Sequence, residues 1–207
     1  MTQPSPWLRW AQRLQALAQS GLAYTESPYD AERYAEIRQI AAEMLASGDS
    51  GDAARLAALF AAETGYATPK IDVRGVVFRD EQVLLVLERA DNAWTLPGGW
   101  ADVGQSPTAC VEREVREESG FETRATRLLA VYDRNLHGHP PMLFHTYKLF
   151  FLCELRGGAA APSTETSAVG FFPVDALPPL SVSRVTAAQI RRMHAHYHHP
   201  EWPTDFD

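Results

Sequence analysis

The chain predicts an α+β fold, with a small all-helical domain over residues 1–67 followed by a strand-rich domain over residues 68–207. Three observations carry that reading. Apolar residues recur at helical spacing through the first third, the texture turns to short apolar runs after Thr68-Pro69, and one well-capped helix stands among those runs.

Ser5-Pro6 supply a cap and a first-turn residue, and Trp7, Trp10, Ala11, Leu14, Leu17 and Ala18 follow at helical spacing until Ser20-Gly21. A second helix starts near Ser27 to Asp30, runs through Tyr34, Ile37, Ala41, Met44 and Leu45, and stops at Ser47-Gly48. A third covers Asp52 to Glu63, with Leu56, Leu59 and Phe60 inward and Gly65 as a left-handed terminator. Three short helices make a small core, so they need a second surface to pack on. Tyr24, Tyr29 and Tyr34 add aromatic surface suited to an interface, and a homodimer is the expected assembly; packing within the chain would use the same residues.

In the second domain, Ile71 to Arg79 and Val83 to Glu88 flank the polar stretch Arg79-Asp80-Glu81-Gln82, a hairpin signal. Trp94 to Leu96, Thr123 to Asp133, Phe144 to Leu155 and Val169 to Phe172 also read as strands, and Ser183 to His198 as a terminal helix. His194 and His198 form an i, i+4 pair within a histidine-rich end that also holds His196 and His199. An exposed tail is the expected reading there, rather than a specific metal site.

A formal charge of -7 argues against a partner of duplex nucleic acid, which calls for a basic face. The longest strongly apolar run, Leu149 to Leu155, is too short to span a bilayer and contains Glu154, so no membrane partner and a cytoplasmic location are expected. Cys110 and Cys153 have no metal-ligand spacing and read as buried thiols.

The chemistry concentrates between Gly98 and Phe121. Ser106 is an N-cap, Pro107 sits in the first turn and Gly120 ends a helix of about 13 residues. On it Glu114, Glu117 and Glu118 share an arc of about 100°, bordered by the core-facing Val111 and Val115. Like charges so placed weaken a helix by a few tenths of a kcal/mol per pair, roughly, and hard oxygen donors gathered this way suit Mg²⁺ or Mn²⁺. A solvated acidic face would carry the same residues.

The preceding loop separates the two readings. Gly99, Arg113, Glu114, Val115, Glu117, Glu118 and Gly120, with Phe121 in the last apolar slot, resemble the signature of the Nudix hydrolase family at its required spacing. The helical extension and the phrase Leu96 to Gly104 resemble a subgroup acting on ADP-ribose or CDP-choline. The resemblance implies an α/β/α sandwich with a mixed central sheet, and metal-dependent hydrolysis of the pyrophosphate bond in a nucleoside diphosphate linked to another moiety. It implies Glu114 and Glu118 as metal ligands, Glu117 as a ligand or an orienter of bound water, the carbonyl of Gly98 as a further ligand, and Arg113 as the clamp on the carboxylates. Glu165, in the loop Gly157 to Thr166, stands where the family often supplies a base or another ligand.

Gln105 departs from the pattern, which usually has Glu there; it keeps an acceptor and loses the charge. Arg74 and Arg89 are candidates to pair with phosphate, and Trp94, Trp100 and Phe144 to stack on a base or sugar. Two alternatives remain open: a house-cleaning hydrolase of oxidised nucleoside triphosphates, and a nucleotide-sensing module without turnover.

Overall fold

The computed structural model describes residues 6–48 and 52–207, so the Ser5 cap lies outside the described residues. The chain forms two compact units. One comprises the residues before Lys70 together with Pro141–His145; the other comprises Lys70–Pro140 and Thr146–Asp207.

The first unit holds α1 (Pro6–Tyr24), α2 (Pro28–Gly48) and α3 (Ala53–Ala62). Leu8 and Ala11 of α1, Ala41, Ala42 and Leu45 of α2, and Phe60 of α3 form its core, with Leu143 packed against it. Gln12 Nε2 donates to the carbonyl of Met142 at 2.9 Å. Asp52 caps α3 by accepting from the N–H groups of Ala54 and Arg55. Leu59 is 41% exposed, against expectation, because Leu56, Ala57 and Phe60 define the buried arc and Leu59 falls about 100° from its centre. Gly65 is left-handed, but the cap itself is Glu63.

α1 continues past Gly21, where the sequence predicts its end. A Cβ at Gly21 would meet ring carbons of Tyr34 at 2.5 Å, so this glycine makes room for an aromatic ring of α2 and does not stop the helix. Tyr34 is therefore taken up by packing, while Tyr24 and Tyr29 are exposed. Gly21→Ala is expected to cost about 1–3 kcal/mol, read as a lower urea midpoint, because the added methyl must displace the Tyr34 ring.

In the second unit, β1 (Lys70–Val76) runs parallel to β6 (Thr146–Gly158), which pairs antiparallel with β5 (Phe121–Asp133). A second sheet holds β2 (Phe78–Arg79), β3 (Gln82–Glu88), β4 (Trp94–Thr95) and β7 (Thr166–Pro173). The β2–β3 turn has Asp80 and Glu81 at φ 50 and 64, the tight hairpin that the polar stretch predicts.

Successive strand residues face two different cores. Val73, Val77, Leu84, Phe151 and Cys153 pack with Cys110, Val111 and Val115 of α4 (Pro107–Ser119). Val76, Val83, Leu85 and Phe150 pack with Ile190 and Met193 of α5 (Ala187–His198). A mixed sheet layer between two helices results, the α/β/α arrangement that the resemblance implies. Both cysteines are free and buried.

α5 begins four residues later than expected. Thr186 caps it in a reciprocal box with Gln189, whereas the N–H groups of Arg184 and Val185 both donate to the Ser181 carbonyl in a turn. The exposed-tail reading of the histidines fails at His196, which is 1% exposed and 3.1 Å from Asp205. Asp205 belongs to β8 (Asp205–Phe206), a two-residue strand beside β5 that is too short to leave a periodic signal. Among the described residues no helix is long and apolar enough to cross a membrane.

Candidate active site

The site is built where the loop after β4 meets α4. Residues 97–101 run antiparallel to β1: Gly75 N–H donates to Pro97 O at 2.8 Å, Val73 N–H to Gly99 O at 2.9 Å, and Ala101 N–H to Ile71 O at 2.9 Å. Gly98 takes φ 143, and a Cβ there would lie 2.0 Å from the Val73 carbonyl, so only glycine lets the loop approach the strand. A Cβ at Gly99 would lie 3.1 Å from a carboxylate oxygen of Glu114. The two glycines thus seat the loop under α4.

α4 is capped as the sequence predicts, by Ser106 accepting from Ala109 N–H and by Gly120 at φ 77. Val111 and Val115 are buried, which turns the adjoining edge of the helix, with Glu114 and Glu118, toward the loop. Glu118, 5% exposed, accepts a 2.8 Å hydrogen bond from Gly98 N–H. Burial pushes its carboxyl up to about 7, against the opposing pull of Arg74 and the Gly98 N–H, with Glu88 and Glu114 adding repulsion. Burial also raises Glu114, offset by Arg113 and reinforced by Glu117. Glu117 is more exposed, and Arg113 holds it.

The Arg113 guanidinium is the hub. It contacts Glu117 at 2.7 Å, Asp102 at 2.7 Å and Glu114 at 2.9 Å, and its Nε donates to the Gln105 side-chain carbonyl at 3.2 Å. Gln105 therefore serves this clamp through the acceptor it shares with Glu.

Glu165 sits on a turn fastened to the end of α4. Thr166 Oγ1 donates to the Glu118 carbonyl at 2.7 Å, and Ala161 N–H donates to the Ser119 carbonyl at 2.9 Å. Within the turn, Ser163 Oγ accepts from Glu165 N–H, and Arg89 N–H donates to the Glu165 carbonyl.

Arg74 and Trp94, predicted as substrate contacts, both have partners within the domain. Arg74 is 4% exposed and spent on Asp72, with Nε and Nη2 each donating at 2.8 Å. It is a counter-charge to Glu118 and Glu88. Trp94 packs edge-on against Phe172, with ring centroids 4.6 Å apart, and is partly buried against the core. Trp100 is exposed on the loop, and the exposed Arg89 guanidinium donates to the Ser163 carbonyl at 3.4 Å. Phe144 lies in Pro141–His145, the segment that goes with the helical unit.

Sequence reasoning missed Glu88, Asp72 and Lys148. Glu88 is buried at the end of β3, raised by burial, opposed by Arg184 and Arg74 and reinforced by Asp91 and Glu165. Lys148 Nζ donates to Asp72 Oδ1 at 2.7 Å, closing an Arg74–Asp72–Lys148 triad. Burial would raise Asp72, but the two cations bring it down to about 2. The available signal was opposite charges placed inside two otherwise apolar strands.

Comparison with known proteins agrees with this geometry. Residues 68–193 match the NUDIX domain model, and residues 5–60 match a model described as a UDP-X-like, N-terminal oligomerisation domain. The chain is 46% identical over 201 residues to the Bacillus subtilis (strain 168) protein named "Putative ADP-ribose pyrophosphatase YjhB", covering 97% of each. A crystal structure of an ADP-ribose pyrophosphatase from Streptococcus suis 89-1591 is 41% identical, covers 68% of this chain and 100% of that one, and gives a TM-score of 0.63. A crystal structure of a UDP-X diphosphatase is 33% identical and covers 100% of both chains, with a TM-score of 0.64. With its capped glutamate helix, its glycine loop and a helical domain before them, the chain belongs to the Nudix hydrolase family.

Proposed function

We propose that this hydrolase splits the pyrophosphate bond of a nucleoside diphosphate linked to a second moiety, of the ADP-ribose or CDP-choline class, using Mg²⁺ or Mn²⁺. The observation that carries this reading is the pair Glu114 and Glu118. Both are turned over Gly98-Gly99, and burial holds both above the usual carboxylate range. An all-oxygen donor set of that kind fits a hard divalent cation. Glu114, Glu118, Glu117 and the Gly98 carbonyl would hold it. When bound, such a cation neutralises phosphate oxygens and lowers the pKa of a coordinated water. Arg113 keeps Glu114 and Glu117 in register through its bidentate reach. Glu165, on its fastened turn, is the candidate base. Trp100 is an exposed ring on the loop, suited to stacking on a base or sugar.

The names of the relatives support the substrate class. The test is to incubate the chain with Mg²⁺ or Mn²⁺ and ADP-ribose, CDP-choline, UDP-sugars or oxidised nucleoside triphosphates, and to identify the products by mass. Two monophosphate-bearing products from a conjugate are expected. Release of inorganic pyrophosphate from a triphosphate, with the conjugates untouched, would replace this reading by the house-cleaning one.

We also propose that the helical unit forms a homodimer. Trp10, Leu17 and Tyr24 are all exposed and recur at i, i+7 and i+14 on α1, an apolar stripe on one face of the helix. Leu17→Glu is expected to convert a dimer to a monomer in light scattering after gel filtration; an unchanged mass would move the interface elsewhere.

A further inference from the structure

The β2–β3 turn and α5 bring three metal-capable side chains together well outside the glutamate helix. His194 and His198 stand one helical turn apart on α5, and their Nε2 atoms are 3.1 Å apart. Glu81 Oε2, from the turn, lies 3.1 Å from His194 Nε2 and 2.8 Å from His198 Nε2. All three donor atoms fall within 4.8 Å of one another. We propose that Glu81, His194 and His198 form a second divalent-cation site, selective for Zn²⁺-type ions, that fastens the β2–β3 turn to the C-terminal helix.

The geometry favours a shared ion over a set of hydrogen bonds. In an N–N contact only one of the two nitrogens can be the donor, yet here each also faces the same carboxylate oxygen. A single cation satisfies the three lone pairs at once. Around tetrahedral Zn²⁺ with bonds of about 2.0–2.1 Å, neighbouring donors stand about 3.3 Å apart. The triangle of 2.8, 3.1 and 3.1 Å is close to one face of that tetrahedron, and it leaves a fourth position for water.

The ligands are also held in place. The Phe78 ring lies 5.2 Å from that of His194 and 4.7 Å from that of Tyr197, which is itself 5.4 Å from the His198 ring. The two imidazoles stand perpendicular, with centroids 4.5 Å apart. Glu81 is placed by a turn whose two central residues both have positive φ. Beside the triad opens a cleft of about 470 Å³ lined by Asp80, Asp175 and Arg191.

Ligand chemistry separates this site from the first. Two imidazoles and one carboxylate suit Zn²⁺, Co²⁺ or Ni²⁺, whereas the glutamate helix offers oxygen alone. Because Glu81 is far in sequence from the histidines, an ion held here links distant parts of the second unit, and binding to the folded form alone stabilises it.

The test uses the untagged full chain, stripped with a chelator and kept in a large excess of Mg²⁺ to occupy the oxygen site. Co²⁺ is titrated while the visible spectrum is recorded, and Zn²⁺ is then added in competition. One equivalent of Co²⁺ with the absorption of a tetrahedral, nitrogen-ligated ion is expected, displaced by Zn²⁺, together with a rise in thermal midpoint on Zn²⁺ addition. His194→Ala/His198→Ala should lose that equivalent and the rise. Glu81→Gln, at an exposed turn, should weaken both and guards against a folding defect in the histidine variant. If the parent binds no Co²⁺ under excess Mg²⁺, or if both variants bind it as the parent does, the site is refuted.

Discussion

Replacing Glu118 by Gln is expected to lower turnover by about 10²–10⁴-fold while leaving the domain at least as stable as the parent. The amide keeps an oxygen that can accept from Gly98 N–H, so the loop stays seated. It removes the charge that burial disfavours. A carboxyl moved from 4.5 to about 7 carries on the order of 3 kcal/mol of unfavourable free energy when ionised. The sign follows from the raised value: relative to the unfolded chain, stability is fully present below about 4.5 and is lost as pH rises through about 7. The variant lacks that loss. Its urea midpoint at pH 8 without divalent cations should equal or exceed the parent's, with kcat measured in parallel on the best conjugate. A variant that is both inactive and less stable would mean that Glu118 is a structural carboxylate. Opposite movements of activity and stability are the mark of a group kept for chemistry.

Asp72→Asn is expected to do the reverse, costing about 3–5 kcal/mol of stability. Asp72 lies between Arg74 and Lys148, all three buried, and the substitution leaves two cations facing a neutral group. Lys148 shows the strain on such a group already: burial lowers it to about 8 even with Asp72 beside it. In the parent, the Asp72 contribution is present above about 3.8 and is lost as pH falls through about 2, so acid should narrow the gap between parent and variant. Denaturant melts at pH 7 and pH 3 check both statements. Activity should also fall, because Arg74 is the counter-charge behind Glu118 and Glu88. A gap independent of pH would place the damage elsewhere.

What the sequence made legible was local or motif-bound. Ser106, Pro107 and Gly120 delimit α4 by capping chemistry that needs no partner outside the helix, and the glutamate spacing puts its carboxylates on one edge. The hairpin at Asp80-Glu81 and the strand runs follow from period and turn residues. What stayed hidden depends on distant chain. Gly21 reads as a stop until Tyr34 is seen against it. Arg74 and Trp94 read as available for a ligand until Asp72 and Phe172 claim them. Glu88 carries no local mark, since its environment comes from Arg184, Arg74 and Glu118. The histidines looked like a solvated end because the residues that order them, Glu81 and Asp205, come from other elements.

The Glu165 turn has a thermodynamic corollary. Hydrogen bonds from Thr166 and Ala161 bolt it to the last carbonyls of α4, so its backbone inherits its position from a rigid helix. The entropy of freezing that stretch is lost once, when the protein folds, and not again at every encounter. Under the proposed function, a ligand then meets a preset edge at Glu165, and its free energy of association is not drained into ordering that turn.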